Sequence, residues 1–211
     1  METIVLENEA QSTEELVQKG IVNGISYGKY RAFVEELTSL GSTTGDDQTE
    51  ALINYTLLNN KRMKRLDKTI KISEDSIEKI KSYSGKVTWL VLTESWCGDA
   101  AQTMPIMNKV AALNDDITLK IIGRDENLDL MNRFLTNKAM SIPKLIMVDD
   151  KSGKVLGEWG SRPSVATQLV IDYKETYGTL TPEFKRDLQV WYNKDKGQTT
   201  LHDLLRLLAL E

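Results

Sequence analysis

Val87-Thr88-Trp89-Leu90-Val91-Leu92-Thr93-Glu94-Ser95-Trp96-Cys97-Gly98-Asp99-Ala100 is the stretch whose reading decides the fold of this chain. The run Val87–Leu92 is apolar, β-branched and aromatic, the composition of a buried strand. Beyond it, Met104, Met107, Val110, Ala111 and Leu113 recur at helical spacing. Cys97, the only cysteine in 211 residues, therefore falls at a strand-to-helix junction. Free backbone N–H groups and the positive end of the helix dipole at such a junction favour a thiolate over a thiol. This is the one place where the sequence proposes chemistry, and Ala100 stands three residues on where a second cysteine would complete a redox pair.

Working outward from that stretch, the upstream part is helical. Residues 1–26 are polar and mixed, with a capping-box pattern in Ser12-Thr13-Glu14-Glu15. Tyr30, Phe33, Val34, Leu37 and Leu40 predict a helix from Tyr27 to about Leu40, ended by the break Gly41–Asp47. A second helix is expected over Glu50 to about Leu66, and Ser73-Glu74-Asp75-Ser76 opens a third with Ile77, Ile80 and Tyr83 on one face. Downstream, Ile117–Ile122 reads as a strand, and Asp125 as the cap of a helix carrying Leu128, Leu130, Met131, Phe134 and Leu135. Lys144–Val148 and Lys154–Trp159, joined by the short turn Asp150-Lys151-Ser152-Gly153, predict an antiparallel hairpin, whereas the preceding β-α-β order implies parallel neighbours. Pro163 suits the first turn of a helix running to about Tyr177. Thr181-Pro182-Glu183 opens another helix, and Thr200 to Asp203 forms a further capping pattern. The leucines at 201, 204, 205, 207, 208 and 210 cover nearly the whole last helix, which implies docking on the core or, alternatively, a homodimer contact through the terminal helices.

Composition narrows the function. Forty per cent apolar and 27 per cent charged residues are ordinary for a globular protein, and a net charge of −4 gives no support for a nucleic-acid surface. The cluster Lys61-Arg62-Met63-Lys64-Arg65 reads as a solvated helix end. The longest apolar runs fall far short of the ~20 residues of a membrane span. One cysteine excludes an intramolecular disulfide, and with an acidic N-terminus lacking a basic region and an apolar core it points to the cytoplasm. His202, the only histidine, lies among leucines, so neither a zinc site nor a Cys–His nucleophile is assembled, and no cofactor is called for.

Residues from about 84 to 178 resemble the thioredoxin-like family. Trp96-Cys97-Gly98 after a strand and before a helix looks like the family's Trp-Cys-Gly-Pro-Cys motif. Pro105 matches the proline that kinks the active-site helix, Ser141-Ile142-Pro143 looks like the cis-proline loop, and a hairpin plus helix closes the unit. Arg124-Asp125-Glu126-Asn127 and Trp159-Gly160-Ser161-Arg162-Pro163 are similar to a bacterial branch with N-terminal helical extensions.

The resemblance implies an α/β thioredoxin-like fold, a central mixed sheet flanked by helices. It divides the chain into a helical extension over 1–83, a thioredoxin-like domain over 84–178 and a C-terminal helical hairpin over 179–211 packed on the core. It implies Cys97 as catalytic nucleophile, with Trp96, Gly98, Asp99, Ala100, Ile142 and Pro143 shaping the site. In the family a second cysteine resolves the mixed disulfide; here Ala100 holds that position, Asp99 replaces the proline and would disfavour the thiolate, and Val91 stands where many members carry a buried acid. Glu94 could substitute as the acid, although a solvated strand-end carboxylate is the preferred reading. The implied function is monothiol exchange with protein or small-molecule disulfides; the alternative is a non-catalytic interaction module. A peroxide-reactive cysteine is the weakest of the three, because the threonine and arginine that surround the cysteine in the resembling peroxidases are not matched as a pair close to Cys97 in sequence.

Overall fold

Continuous apolar runs are what a strand needs when both of its faces are covered, and the central run meets that condition. In the computed structural model, which describes residues 11–210, every side chain of β1 (Val87–Thr93) is buried. β1 runs parallel to β2 (Ile117–Gly123), in register from Val87 opposite Ile117 to Thr93 opposite Gly123. On its other edge it runs antiparallel to β3 (Lys144–Asp149), and β4 (Val155–Gly160) completes the expected hairpin with β3. Among the described residues the sheet order is β2-β1-β3-β4. It is a mixed sheet with helices on both sides, the fold class expected.

Before the sheet lie α1 (Thr13–Asn23), α2 (Tyr27–Ser39), α3 (Glu50–Thr69) and α4 (Glu74–Ser82). Ser12 and Glu15 form the reciprocal capping box at α1, and Ser26 and Ser73 cap α2 and α4. α5 (Gly98–Ala111) leaves the end of β1 with Cys97 as its N-cap residue and Pro105 inside it. One core joins Trp89, Leu90, Leu92, Met104, Met107 and Leu145 from the sheet and α5 to Val17, Val34 and Met63 of the upstream helices.

Two expected elements differ. The helix after β2 begins with a 3-10 turn at Asp125–Asn127 and continues only as α6 (Leu128–Met131). Phe134 and Leu135 lie beyond it because the chain turns back at Asn137 and Lys138, both at positive φ, with Thr136 bridged to Ala139. Downstream, α8 (Pro182–Asp195) has its proline in the first turn as expected, whereas α7 (Ser164–Tyr177) begins one residue after Pro163, which is its N-cap. The last helix, α9 (Gln198–Leu207), begins after Gly197 rather than at Thr200. Asp203 is therefore not a capping residue of its own helix: its Oδ2 accepts from Trp159 Nε1 at 3.1 Å and from the Ser164 N–H at 2.7 Å. The leucines of α9 are used inside the chain, with Leu201, Leu204, Leu205 and Leu208 buried and the helix packed on α5, α7 and β4. A smaller cluster of Ala166, Val170, Leu188 and Tyr192 joins α7 to α8.

No helix among the described residues is long and apolar enough to cross a membrane. The first ten residues, on which the expectation of an N-terminus without a leader largely rests, lie outside the described residues.

Candidate functional site at Cys97

The strand-to-helix junction places Cys97 at the N-terminus of α5, where its Sγ accepts the Ala100 N–H at 3.4 Å. Across the cleft the thiol donates to the Ile142 carbonyl at 3.3 Å. The Ile142–Pro143 peptide is cis. The sulfur is buried, with Cys97 only 7% exposed. Burial is the largest influence on the thiol and the Asp99 carboxylate the second; together they push it from its ordinary value of 9.0 up to about 12. The N–H groups of Ala100 and Asp99 and the Arg162 guanidinium pull the other way and lose. The helix N-terminus acts in the expected direction, but it does not decide the protonation state.

Asp99 is the hub beside the thiol. Its Oδ2 pairs with Arg162 Nη2 at 2.8 Å and its Oδ1 accepts from the Tyr192 hydroxyl at 2.8 Å. Burial raises the Asp99 carboxyl above the usual carboxylate range against the pull of Arg162 and Tyr192. Gln102 of α5 donates to Gln189 of α8 at 3.0 Å, so α8 is tied to α5 at two points.

The loop carrying Cys97 is held from the upstream helices. Ser95 Oγ sits in a buried hydroxyl cluster with Thr43 at 3.0 Å and Thr56 at 2.8 Å, and Asn59 Nδ2 donates to the Ser95 carbonyl at 2.9 Å. Arg62 Nη1 donates to Asn59 Oδ1 at 3.0 Å and would stand 3.5 Å from a Cβ at Gly98. The basic cluster at 61–65 is therefore not wholly a solvated helix end: Arg62 is turned toward the site and desolvated there. Trp96 forms one wall under the Arg124 guanidinium, 5.0 Å from its ring. The resulting cleft, about 440 Å³, has Cys97, Asp99, Arg124, Ser141, Ile142 and Arg162 on its surface.

The structure thus brings together Cys97, Trp96, Gly98, Asp99 and Ile142, with Ala100 buried beneath and Pro143 following Ile142. Glu94 goes elsewhere. It is 2% exposed, not solvated, because the loop at 43–45 covers the strand end; its Oε1 accepts the Asp125 N–H at 2.9 Å. Burial raises its carboxyl, while Thr44 and the Asp125 N–H lower it less. Arg62, Tyr192 and the Thr43–Thr56–Ser95 cluster carry no sequence signal of a role near Cys97. Arg162 stood in a family-like pattern, but its partner Asp99 lies too far along the chain to be paired by spacing. No group of three metal-ligating side chains occurs among the described residues.

The family model described as Thioredoxin matches residues 45–174, more than half of the chain and including α3, which buttresses the Cys97 loop. A search of the curated proteins finds no significant match. Among solved structures, the chain is similar to a protein of unknown function from Pseudomonas aeruginosa, with TM-score 0.59, 17% identity and coverage of 95% of this chain and 96% of that one. It is also similar to an HIV epitope scaffold, with TM-score 0.57, 18% identity and coverage of 92% and 95%. At these identities the two structures speak to the fold alone.

Proposed function

Because the chain belongs to the thioredoxin family, we propose that it acts at Cys97 by thiol–disulfide exchange with a single thiol. The observation that supports this reading is the position of Sγ, between the N-terminus of α5 and the Ile142 carbonyl, in a residue that lines a cleft. Cys97 would lose its proton to solvent and attack a substrate disulfide. One S–S bond breaks, a mixed disulfide forms on Cys97, and the leaving thiolate takes up a proton. A second thiol, from solution or a partner, then attacks the substrate sulfur of the mixed disulfide and returns Cys97 to its starting form. The net reaction is exchange of one disulfide half for another, which suits a reducing compartment such as the cytoplasm. The backbone at Ile142 would pair with an extended substrate segment once the thiol releases its carbonyl. Protein and small-molecule disulfides are both within this chemistry.

One observation favours a second reading. A thiol pushed up to about 12 is almost wholly protonated near neutral pH, and only the thiolate attacks. In that reading the cleft is a non-catalytic docking surface and Cys97 a masked thiol.

Incubation with glutathione disulfide, followed by intact-mass measurement and a thiol chase, separates the two. Exchange predicts a mixed disulfide on wild type that the chase removes and that Cys97→Ser never forms. A wild-type mass that stays unmodified, together with partner binding retained in Cys97→Ser, would establish the docking module instead.

A further inference from the structure

A second cavity, of about 380 Å³, lies at the carboxyl ends of β1 and β2 beneath α1, α2 and the loop at 43–45. That volume is in the range of small-ligand pockets, ~300–1,000 Å³. It is closed on one side by a short backbone bridge in which Ile25 and Ile121 exchange hydrogen bonds of 3.0 and 2.9 Å. Its wall is apolar and aromatic: Ile25, Tyr30, Phe33, Ile121 and Ile122. Tyr30, Ile121, Ile122 and Glu94 are buried and form its depth; Phe33, Lys19, Asn23 and Glu126 are exposed and form its mouth.

Two carboxylates from different elements, Glu94 in its depth and Glu126 at its mouth, approach Gly123. Measured from the place a Cβ would occupy on Gly123, Glu126 Oε2 is 3.4 Å away and Glu94 Oε1 is 3.6 Å away. A side chain at 123 would begin in the space that the two oxygens face. Glu94 is the buried member, and a buried carboxylate is costly unless a counter-charge or several donors meet it. Its hydrogen-bond partners, the Asp125 N–H and Thr44, carry no charge. Arg124 lowers the Glu94 carboxyl through space but forms its ion pair with Asp125, at 2.7 Å, and not with Glu94.

We propose that this cavity binds a small amphipathic organic cation, its primary ammonium between Glu94 and Glu126 and its apolar body against Phe33, Tyr30 and Ile121. The ammonium adds a direct charged partner to the through-space pull of Arg124, as a charge-assisted hydrogen-bonded pair. The aromatic wall accepts the hydrocarbon and adds a cation–π contribution. Lys19, exposed at the mouth, disfavours a ligand whose outer end is also cationic. The absence of a third ligating side chain among the described residues separates this site from a metal centre.

Calorimetric titration of the full chain at pH 7 with phenethylammonium chloride tests the proposal, with 2-phenylethanol as the neutral isostere and calcium chloride as the competing cation. The amine is expected to bind saturably and at least about tenfold more tightly than the alcohol. Glu94→Gln should weaken it about tenfold and Glu126→Gln severalfold, the scale of losing one charge-assisted partner each. Glu126 is exposed, so its variant carries the test should Glu94→Gln fail to fold. No saturable amine binding, equal affinity for amine and alcohol, affinity unchanged by either substitution, or saturable calcium binding without amine binding would each overturn it.

Discussion

Asp99 and Arg162 are locked in a 2.8 Å ion pair two residues past the only thiol of the chain. The pair places opposite charges beside the same sulfur: the carboxylate holds the proton on Cys97 and the guanidinium draws it off. Tyr192, donating to the same carboxylate from α8, fixes which way Asp99 faces. The protonation of the thiol thus depends on its own helix and on two segments far downstream in sequence.

Asp99→Asn removes the second-largest influence raising the thiol and leaves Arg162 without its partner. The amide oxygen can still accept from Tyr192, so the fold around α8 is kept. The midpoint of a pH series of iodoacetamide alkylation should move down from about 12, and the rate at pH 8 should rise severalfold. Burial, the largest influence, is untouched, so the midpoint stays above the ordinary thiol value. Arg162→Gln should move the midpoint upward. Identical midpoints in wild type and Asp99→Asn would show that the carboxylate does not reach the sulfur.

The same thiol makes stability depend on alkaline pH. Its folded-state value is raised, so the folded chain holds the proton more tightly than the unfolded chain. That contribution is complete below pH 9.0 and is lost as pH climbs through the folded value of about 12. Over this window the wild type should lose stability to urea faster than Cys97→Ser, by at most about 1.4 kcal/mol for each pH unit, the slope of one proton. Parallel curves for the two proteins would contradict the assignment.

Gly160 closes β4 directly opposite the site loop. It has φ 128°, a conformation that L side chains rarely adopt, and an added Cβ would collide with the Pro143 carbonyl oxygen. Gly160→Ala should therefore cost about 2 kcal/mol or more, a Tm lower by roughly 4–8 °C for a domain of this size. Because the displaced atoms belong to Pro143, alkylation of Cys97 should quicken as the Ile142 carbonyl is drawn away. A Tm equal to wild type would show that the loop yields without strain.

Much of this was legible in the sequence because it is written in local pattern. The β1 run, the capping serines and the prolines at 163 and 182 act within a few residues, and period and cap chemistry placed their elements. Local pattern failed where a backbone turn of unmarked sequence or a distant segment decides the outcome. Phe134 and Leu135 continue a helical period, yet a backbone turn at Asn137 and Lys138 ends the helix before them. Glu94 reads as a strand-end carboxylate in water until the loop at 43–45 covers it. Arg62 sits in a basic run and differs from its neighbours only because its side of α3 faces Asn59 and Gly98. At Cys97 both opposing effects could be named beforehand. Their balance needed the burial of the sulfur, which depends on the position of the Ile142 loop 45 residues away.

Asp203 supplies the remaining test of that distinction. As a helix cap its loss would matter only to the start of α9; as observed, its Oδ2 joins Trp159 of β4 and the first N–H of α7. Asp203→Ala leaves the buried indole N–H unpaired and removes a negative charge from the N-terminus of α7, together worth about 2 kcal/mol. Asp203→Asn keeps an oxygen for one donor and should cost less. The two roles separate in Trp159 fluorescence: loss of a tie to β4 predicts a changed emission in the folded Asp203→Ala protein, whereas loss of a cap alone predicts a lower Tm with the emission unchanged.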